Sequence, residues 1–123
     1  MKIYVGHSNE WNCQEEIYEP IMKSNLYNKH QFIFPHMQQT SLNTDKVIEE
    51  CDLFIAEMDN PSLGLGTEME RAEKMDKQIV CIYMMGYDCP NGIKYVNTDI
   101  IQYKDSDDMI RKLGEYIEYL EKE

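Results

Sequence analysis

The sequence predicts an α/β fold in which one parallel β-sheet lies between two layers of helices. Two observations carry this prediction. Short, nearly continuous apolar runs recur along the chain, and segments with helical spacing separate them. Runs such as LFIAEM and IVCIYMM are typical of strands that are buried on both faces of a parallel sheet. The alternation of strand and helix therefore indicates a βαβ series, a flavodoxin/Rossmann-like three-layer fold with a five-stranded parallel sheet.

The predicted strands also indicate where a ligand would bind. They cover residues 2–6, 31–35, 52–58, 78–85 and, more weakly, 98–103. Right-handed crossovers place helices on both faces of such a sheet, and ligands bind at the carboxyl ends of its strands, near the point where strand order reverses. We therefore expect the site in the loops at residues 6–9, 36–38 and 59–66.

Four helices are predicted between and after the strands. Ile17 and Ile21 mark the first, which Pro20 should end or kink. The second is short and contains Val47 and Ile48, and the third carries an apolar stripe. That stripe consists of Leu65, Met69, Ala72 and Met75.

The last helix has the clearest signals. Ser106 is the expected N-cap, and Asp107 and Asp108 suit the positive end of the helix dipole. Its apolar stripe, which predicts packing against the sheet, consists of Ile110, Leu113, Ile117 and Leu120.

Length and charge exclude several classes of protein. A chain of 123 residues can bury one substantial core, so we expect one domain over residues 1–123. The 23 acidic residues against 12 basic ones give a net charge of −11, and there is no run of Lys or Arg. This argues against a nucleic acid polymer or an anionic bilayer as a partner. A single phosphate remains possible, because helix N-termini bind small anions whatever the net charge.

Hydropathy and cysteine usage predict a cytoplasmic protein. The mean hydropathy is −0.60, and no apolar stretch approaches the ~20 residues that a membrane helix needs. The first residues contain too short an apolar run for a signal peptide. Four cysteines at positions 13, 51, 81 and 89 form no C-x-x-C pair, so we expect reduced thiols and no metal site.

The loop after the third predicted strand differs from an ordinary connection. Gly64 and Gly66 flank one apolar residue, and a helix follows at once. Glycine allows the backbone to approach a ligand, the N–H groups at a helix start can hold an anion, and the Ser62 hydroxyl could add a donor. The pattern G-x-G-x-x-E is only part of the dinucleotide fingerprint, so a nicotinamide site is not indicated.

Glu68 admits two interpretations from its position alone. We expect it in the first turn of the helix, where the dipole and nearby N–H groups favour the ionised carboxylate. An ionised carboxylate beside an anion-binding loop is a plausible nucleophile. Glu68 could equally be a residue that only caps the helix.

The central block is similar to a known family. The segment DLFIAEM at residues 52–58, followed by PSLGLGTEMERA at 61–72, closely resembles the nucleoside 2-deoxyribosyltransferase superfamily. Its Pro-Ser-Leu-Gly form resembles the 2′-deoxynucleoside 5′-monophosphate N-glycosidases, and KIYVG at 2–6 is similar to that family's first strand. The resemblance covers most of the first eighty-five residues.

This resemblance implies roles for particular residues. Glu68 would be the nucleophile that attacks the anomeric carbon, Ser62 would help to hold a 5′-phosphate, and Tyr4 would lie beside the glutamate and the sugar. Asp45 would be the second catalytic acid, with Asp59 as the alternative for the proton transfer. Further substrate contacts are expected from Gly6, His7, Ser8, Asp59, Gly64 and Gly66.

The family resemblance also implies no metal or organic cofactor, and a homodimer or higher homo-oligomer in which loops of a neighbouring subunit complete the pocket. Residues 84–87 would suit such an interface. The hydrolases carry a Gly-Ser-x-Arg-Gly-Gly phosphate loop after their first strand, whereas this chain has GHSNEW at 6–11. The substrate is therefore expected to be either a nucleoside or a nucleoside 5′-monophosphate.

Three functions remain open at this point. The first is cleavage of an N-glycosidic bond by hydrolysis or transfer. The second is a nucleotide-binding module or sensor without turnover, and the third is an NAD-cleaving glycohydrolase of related fold.

Overall fold

A five-stranded parallel sheet forms the centre of the fold. The computed structural model describes residues 1–7, 14–35, 43–59, 62–86 and 98–123. The strand order is β2-β1-β3-β4-β5, and every neighbouring pair is parallel. The strands are β1 (Lys2–Gly6), β2 (Gln31–Ile33), β3 (Leu53–Glu57), β4 (Gln78–Met84) and β5 (Asp99–Tyr103). All five predicted strands are thus confirmed, with small differences at their ends.

Helical segments connect the strands. A π-helical turn (Gln14–Tyr18) runs directly into α1 (Glu19–Met22), and the remaining helices are α2 (Asn25–Lys29), α3 (Thr44–Glu50), α4 (Leu63–Lys74) and α5 (Ser106–Glu121). Pro20 lies in the first turn of α1, where its missing N–H is tolerated. Pro20 was predicted to end or kink the first helix, and the change from the π-helical turn to α1 occurs next to it.

Side chains alternate between the two faces of the sheet, and each face carries its own core. Ile3, Val5 and Ile55 face α1, α2 and α5, whereas Tyr4 and Phe54 face α3 and α4. Residues of β3 and the middle of β4 are buried throughout, as expected for strands that helices cover on both faces. The predicted three-layer architecture follows from this double burial.

Two details of the helix predictions were wrong. The N-cap of α5 is Asp105, whose carboxylate accepts a hydrogen bond from the Asp108 N–H at 2.8 Å, and Ser106 is the first helical residue. Aspartate is as good a cap as serine, so the sequence did not distinguish the two. Met75 follows the last residue of α4 and is 38% exposed, because the helix ends before the apolar stripe reaches it.

The strand order reverses between β1 and β3, and their carboxyl ends lie side by side. Gly6 pairs with Ala56 at this point. A Cβ atom at position 6 would lie 2.8 Å from Cζ of Phe54 and 3.0 Å from Cδ1 of Leu65. Glycine at this position therefore allows β1 to pack closely against the Phe54 ring of β3 and Leu65 of α4.

The described ranges contain no helix that is long and apolar enough to cross a membrane. Within the same ranges, no three His, Cys, Asp or Glu side chains are grouped so as to hold a metal ion. Cys51 and Cys81 are buried in the core, and the other two cysteines lie outside the described residues.

Replacement of Gly6 tests this packing. We expect Gly6→Ala to lower the free energy of unfolding by about 1–3 kcal/mol, because the added methyl group overlaps the Phe54 ring. Gly114→Ala in α5 is the matched control, since its Cβ would lie 3.6 Å from Leu26, an ordinary contact. It should raise stability by about 0.5–1 kcal/mol. Urea denaturation of both variants measures the difference, and equal stability of Gly6→Ala and wild type would contradict the packing argument.

Candidate active site

The candidate site lies at the carboxyl edge of the sheet, between the neighbouring strands β1 and β3, whose following helices α1 and α4 pack on opposite faces. Tyr4 of β1 is in register with Phe54 of β3, and their ring centroids are 5.1 Å apart. Helix α4 packs on this face through Leu65 and Met69. Glu68, which lies between these two apolar residues, is thereby brought to Tyr4.

Tyr4 and Glu68 form a hydrogen bond across the strand–helix interface. The Tyr4 hydroxyl lies 3.2 Å from Oε1 and 3.1 Å from Oε2 of Glu68, so its single proton is shared between both carboxylate oxygens. Tyr4 is 1% exposed, and its ring packs against Phe54 in the core. The carboxylate is therefore held by a rigid donor rather than by a mobile surface side chain.

Three physical effects set the protonation of Glu68. Burial raises the pKa of its carboxyl group, while the hydrogen bond from Tyr4 and the charge of Arg71 lower it, and burial is the largest of the three. The pKa therefore lies above the ordinary glutamate value. In turn, burial and the adjacent Glu68 charge raise the pKa of Tyr4, which keeps this hydroxyl protonated as a donor.

The start of α4 differs from the sequence prediction. The helix begins at Leu63, so Gly64 and Gly66 are helical residues and not part of the loop. Glu68 then lies in the second turn and not the first, which removes the expected stabilisation of its charge by the helix terminus. The predicted place of Glu68 in the first turn was therefore wrong, and the donor that favours its ionised form is the Tyr4 hydroxyl and not the helix terminus. The cap interpretation of Glu68 is also wrong, because Ser62 is the N-cap.

The side chain of Ser62 caps the N-terminus of α4. Its Oγ accepts a hydrogen bond from the Leu65 N–H at 3.1 Å. The Leu63 and Gly64 N–H groups belong to the first turn, where an α-helix supplies no backbone acceptor. Among the described residues, a Cβ atom at Gly66 would have no neighbour within 4 Å, so none of them fills the space beside this turn.

Asp45 is connected to the Glu68 region through an arginine. Its Oδ1 lies 2.8 Å from a guanidinium nitrogen of Arg71, and both side chains are about half exposed. Arg71 follows Glu68 by three residues on α4 and therefore lies on the same helix face. Sequence reasoning did not single out Arg71, although its spacing from Glu68 was a usable signal.

Asp59 is engaged with the ends of neighbouring strands. Its Oδ1 accepts a hydrogen bond from the Met84 N–H at 2.6 Å, and the Tyr103 hydroxyl lies 3.5 Å from its Oδ2. The aspartate thus ties the exit of β3 to the ends of β4 and β5.

His7 follows β1 on the opposite face from Tyr4. It is 8% exposed, its Nε2 is hydrogen-bonded to the Tyr18 hydroxyl, and the two rings contact edge to face. Ser8 and the loop at 36–38 lie outside the described residues, as does Tyr87 of the predicted interface. The substrate contacts and the homo-oligomer stay predictions.

No model of a known protein family matches the chain. The chain is similar in sequence to the 5-hydroxymethyl-dUMP N-hydrolase of Branchiostoma floridae, with 47% identity over 36 residues. This segment covers 29% of the chain and 34% of that relative, so the chain matches about a third of the relative's length.

Two solved structures share the fold. The CMP N-glycosidase BcmB of Clostridium botulinum superposes with a TM-score of 0.70 and 21% identity, covering 94% of this chain and 99% of that one. CapF, solved with the inhibitor 3-isopropenyl-tropolone, gives a TM-score of 0.54 and 10% identity over 85% of this chain and 30% of its own.

These comparisons confirm the resemblance stated from the sequence. The chain is similar in sequence to one nucleotide N-hydrolase over a short segment, and it has the fold of a nucleotide N-glycosidase over nearly its whole length.

Proposed function

We propose that this protein is an N-glycosidase that cleaves the bond between base and sugar of a nucleoside 5′-monophosphate, with Glu68 as nucleophile. The observation that carries the proposal is the contact of the Tyr4 hydroxyl with both oxygens of a partly buried Glu68 at the carboxyl edge of the sheet. The similarity to two relatives named for nucleoside monophosphates supports the substrate class.

The first step is displacement of the base. A carboxylate oxygen of Glu68 attacks C1′ through an oxocarbenium-like transition state, the C1′–N bond breaks, and its electron pair leaves with the base. A general acid supplies the proton that the departing base takes up. The product of this step is a glycosyl ester on Glu68.

The second step is hydrolysis of this ester. Water attacks C1′, gives its proton to a general base, and restores the Glu68 carboxylate. Of the two acids expected from the sequence, Asp45 suits the proton transfers better. It is half exposed with one oxygen on Arg71, whereas the oxygens of Asp59 contact Met84 and Tyr103.

The start of α4 is proposed to hold the 5′-phosphate. The Ser62 hydroxyl and the N–H groups of Leu63 and Gly64 supply donors, and the helix dipole favours an anion there. The open space beside Gly66 leaves room for the substrate close to Glu68.

Glu68→Gln tests the nucleophile. We expect base release from a panel of nucleoside monophosphates, nucleosides and NAD to fall by about 10⁴-fold or more, because an amide cannot form the ester. Glu70→Gln is the matched control, since Glu70 is exposed on the same helix and pairs with Lys74. Undiminished base release by Glu68→Gln would contradict the mechanism. Nucleotide binding without turnover by the wild type would indicate a sensor instead.

Tyr4→Phe tests the hydrogen bond. Its loss removes an effect that lowers the Glu68 pKa, so the pKa should rise further. The nucleophile must be ionised, and activity appears as pH rises through this pKa. We therefore expect the acidic limb of the kcat profile to move to higher pH in Tyr4→Phe. An unchanged limb would show that Glu68 ionisation does not control the reaction.

Gly66→Ala tests whether glycine at this position serves substrate binding or the stability of the fold. The added methyl group meets no atom of the residues that the structure describes, so the variant should be about 0.5–1 kcal/mol more stable than wild type. If the space is occupied by substrate, the KM should nevertheless rise. Thermal denaturation and steady-state kinetics on one preparation measure both effects, and an unchanged KM would place the substrate elsewhere.

A further inference from the structure

An ion pair joins two helices on the face of the sheet that carries the nucleophile, and the proposed reaction uses only one of its members. A guanidinium nitrogen of Arg71, on α4, lies 2.8 Å from Oδ1 of Asp45, in the first turn of α3. Arg71 follows Glu68 by three residues, so both side chains lie on the same side of α4. One cation therefore serves two carboxylates, because it contacts Asp45 and its charge acts on Glu68.

Packing of α3 against α4 brings the two members of the pair together. Both helices cover the same face of the sheet, α3 through Ile48 and α4 through Met69. The N-terminus of α3 is capped by Asn43, whose side chain accepts a hydrogen bond from the Lys46 N–H at 3.2 Å. The backbone of Asp45 therefore belongs to a capped helix, and the core fixes its place relative to α4.

The chain contains two arginines, and their partners differ. Arg111 pairs with Asp108 and Glu115, which both lie on its own helix α5. Arg71 pairs instead with an acid of another helix. In a chain with 23 acidic and 12 basic residues, a cation placed among carboxylates offsets the repulsion between them.

The exposure of the ion pair argues against a role in stability. The side chain of Arg71 is 46% exposed and that of Asp45 is 59% exposed. Such pairs contribute little to the free energy of unfolding, because water screens the charges. The rigid fork of donors in a guanidinium can nevertheless fix the orientation of a carboxylate. Exposure also suits a proton-transfer group, which must reach substrate or water.

We propose that Arg71 is a positioning residue that holds the carboxylate of Asp45 on the Glu68 side of α4, oriented for the proton transfers of the reaction. This inference rests on the proposed function of Glu68 and Asp45. The contact engages Oδ1 of Asp45, so Oδ2 is the oxygen that exchanges the proton. Arg71 keeps its own proton and acts through the two acids.

The charge of Arg71 also has a defined effect on pH dependence. Tyr4 from β1 and Arg71 from α4 act on the carboxyl group of Glu68, and α3 contributes Asp45, which is paired with Arg71. Burial raises the pKa of Glu68, whereas the Tyr4 hydrogen bond and the Arg71 charge lower it. Removal of the Arg71 charge should therefore raise this pKa, and the ionised nucleophile should form at higher pH.

Two variants of Arg71 separate its charge from its geometry. Arg71→Met keeps an unbranched stem without charge, whereas Arg71→Lys keeps the charge as a single ammonium group. Lys74→Met is the matched control, because Lys74 lies on the same helix, pairs with Glu70 and has a side chain that is 75% exposed. For each we would measure kcat and KM against pH with a nucleoside monophosphate, and the pKa of Glu68 by NMR titration of its carboxyl carbon.

A double-variant cycle tests whether Arg71 acts through Asp45. Asp45→Asn alone should lower kcat by about a hundredfold or more, because it removes the group that transfers the proton. Arg71→Met alone should lower kcat by about ten- to a hundredfold with little change in KM, because Asp45 is then misplaced. The combined variant should lose little more than Asp45→Asn alone, since both changes remove one interaction.

We expect the acidic limb of kcat and the pKa of Glu68 to move to higher pH in Arg71→Met and to return towards wild type in Arg71→Lys. Both should be unchanged in Lys74→Met. An unchanged Glu68 pKa in Arg71→Met would overturn the proposal, and so would losses of kcat that multiply in the combined variant. If the wild type releases no base, the proposed function fails, and the Glu68 pKa in Arg71→Met then decides by itself whether Arg71 controls this carboxyl group.

Discussion

Burial of the Glu68 carboxylate against the Tyr4 hydroxyl is the interaction on which the rest of the site depends. A carboxylate that loses water needs a compensating donor, and Tyr4 supplies one to both oxygens from a rigid position in the core. This contact joins β1 to α4, two elements that are distant in sequence. The contact lies beside the point where the strand order reverses, between β1 and β3. Ligands of such sheets bind in the crevice at this point.

Two acids at one edge of the sheet have different environments. Glu68 retains a donor and a nearby cation, which support its ionised form against burial. Glu57 lies at the end of β3, where burial is the largest effect and raises its pKa; the Asp59 N–H lowers this pKa, and the charges of Asp59 and Glu16 raise it. In many active sites the surroundings give two carboxyl groups different pKa values, so that one can act as an acid while the other stays ionised. Under the proposed function, Glu68 is the acid that reacts as a carboxylate.

The fold was largely predictable from the sequence, because continuous apolar runs such as 53–58 report burial on both faces. The contact partners were less predictable. The start of α4 is set by the Ser62 cap, but Gly64 and Gly66 could by sequence have belonged to the loop or to the helix. Glu68 was therefore predicted in the first turn of the helix, whereas it lies in the second. Arg71 was missed because its importance arises from the contact with Asp45, which only the folded chain brings together.

The net charge of −11 makes the local donors of the site more important, since a phosphorylated substrate gains little from long-range attraction. The central claim is that Glu68 becomes covalently linked to the sugar. It is tested most directly by mass spectrometry of the protein after reaction with a 2′-fluorinated nucleoside monophosphate, because fluorine slows breakdown of the ester. The account predicts one glycosyl adduct on Glu68 for each base released in the first turnover. Stoichiometric base release with the adduct on another residue, or with none, would contradict it.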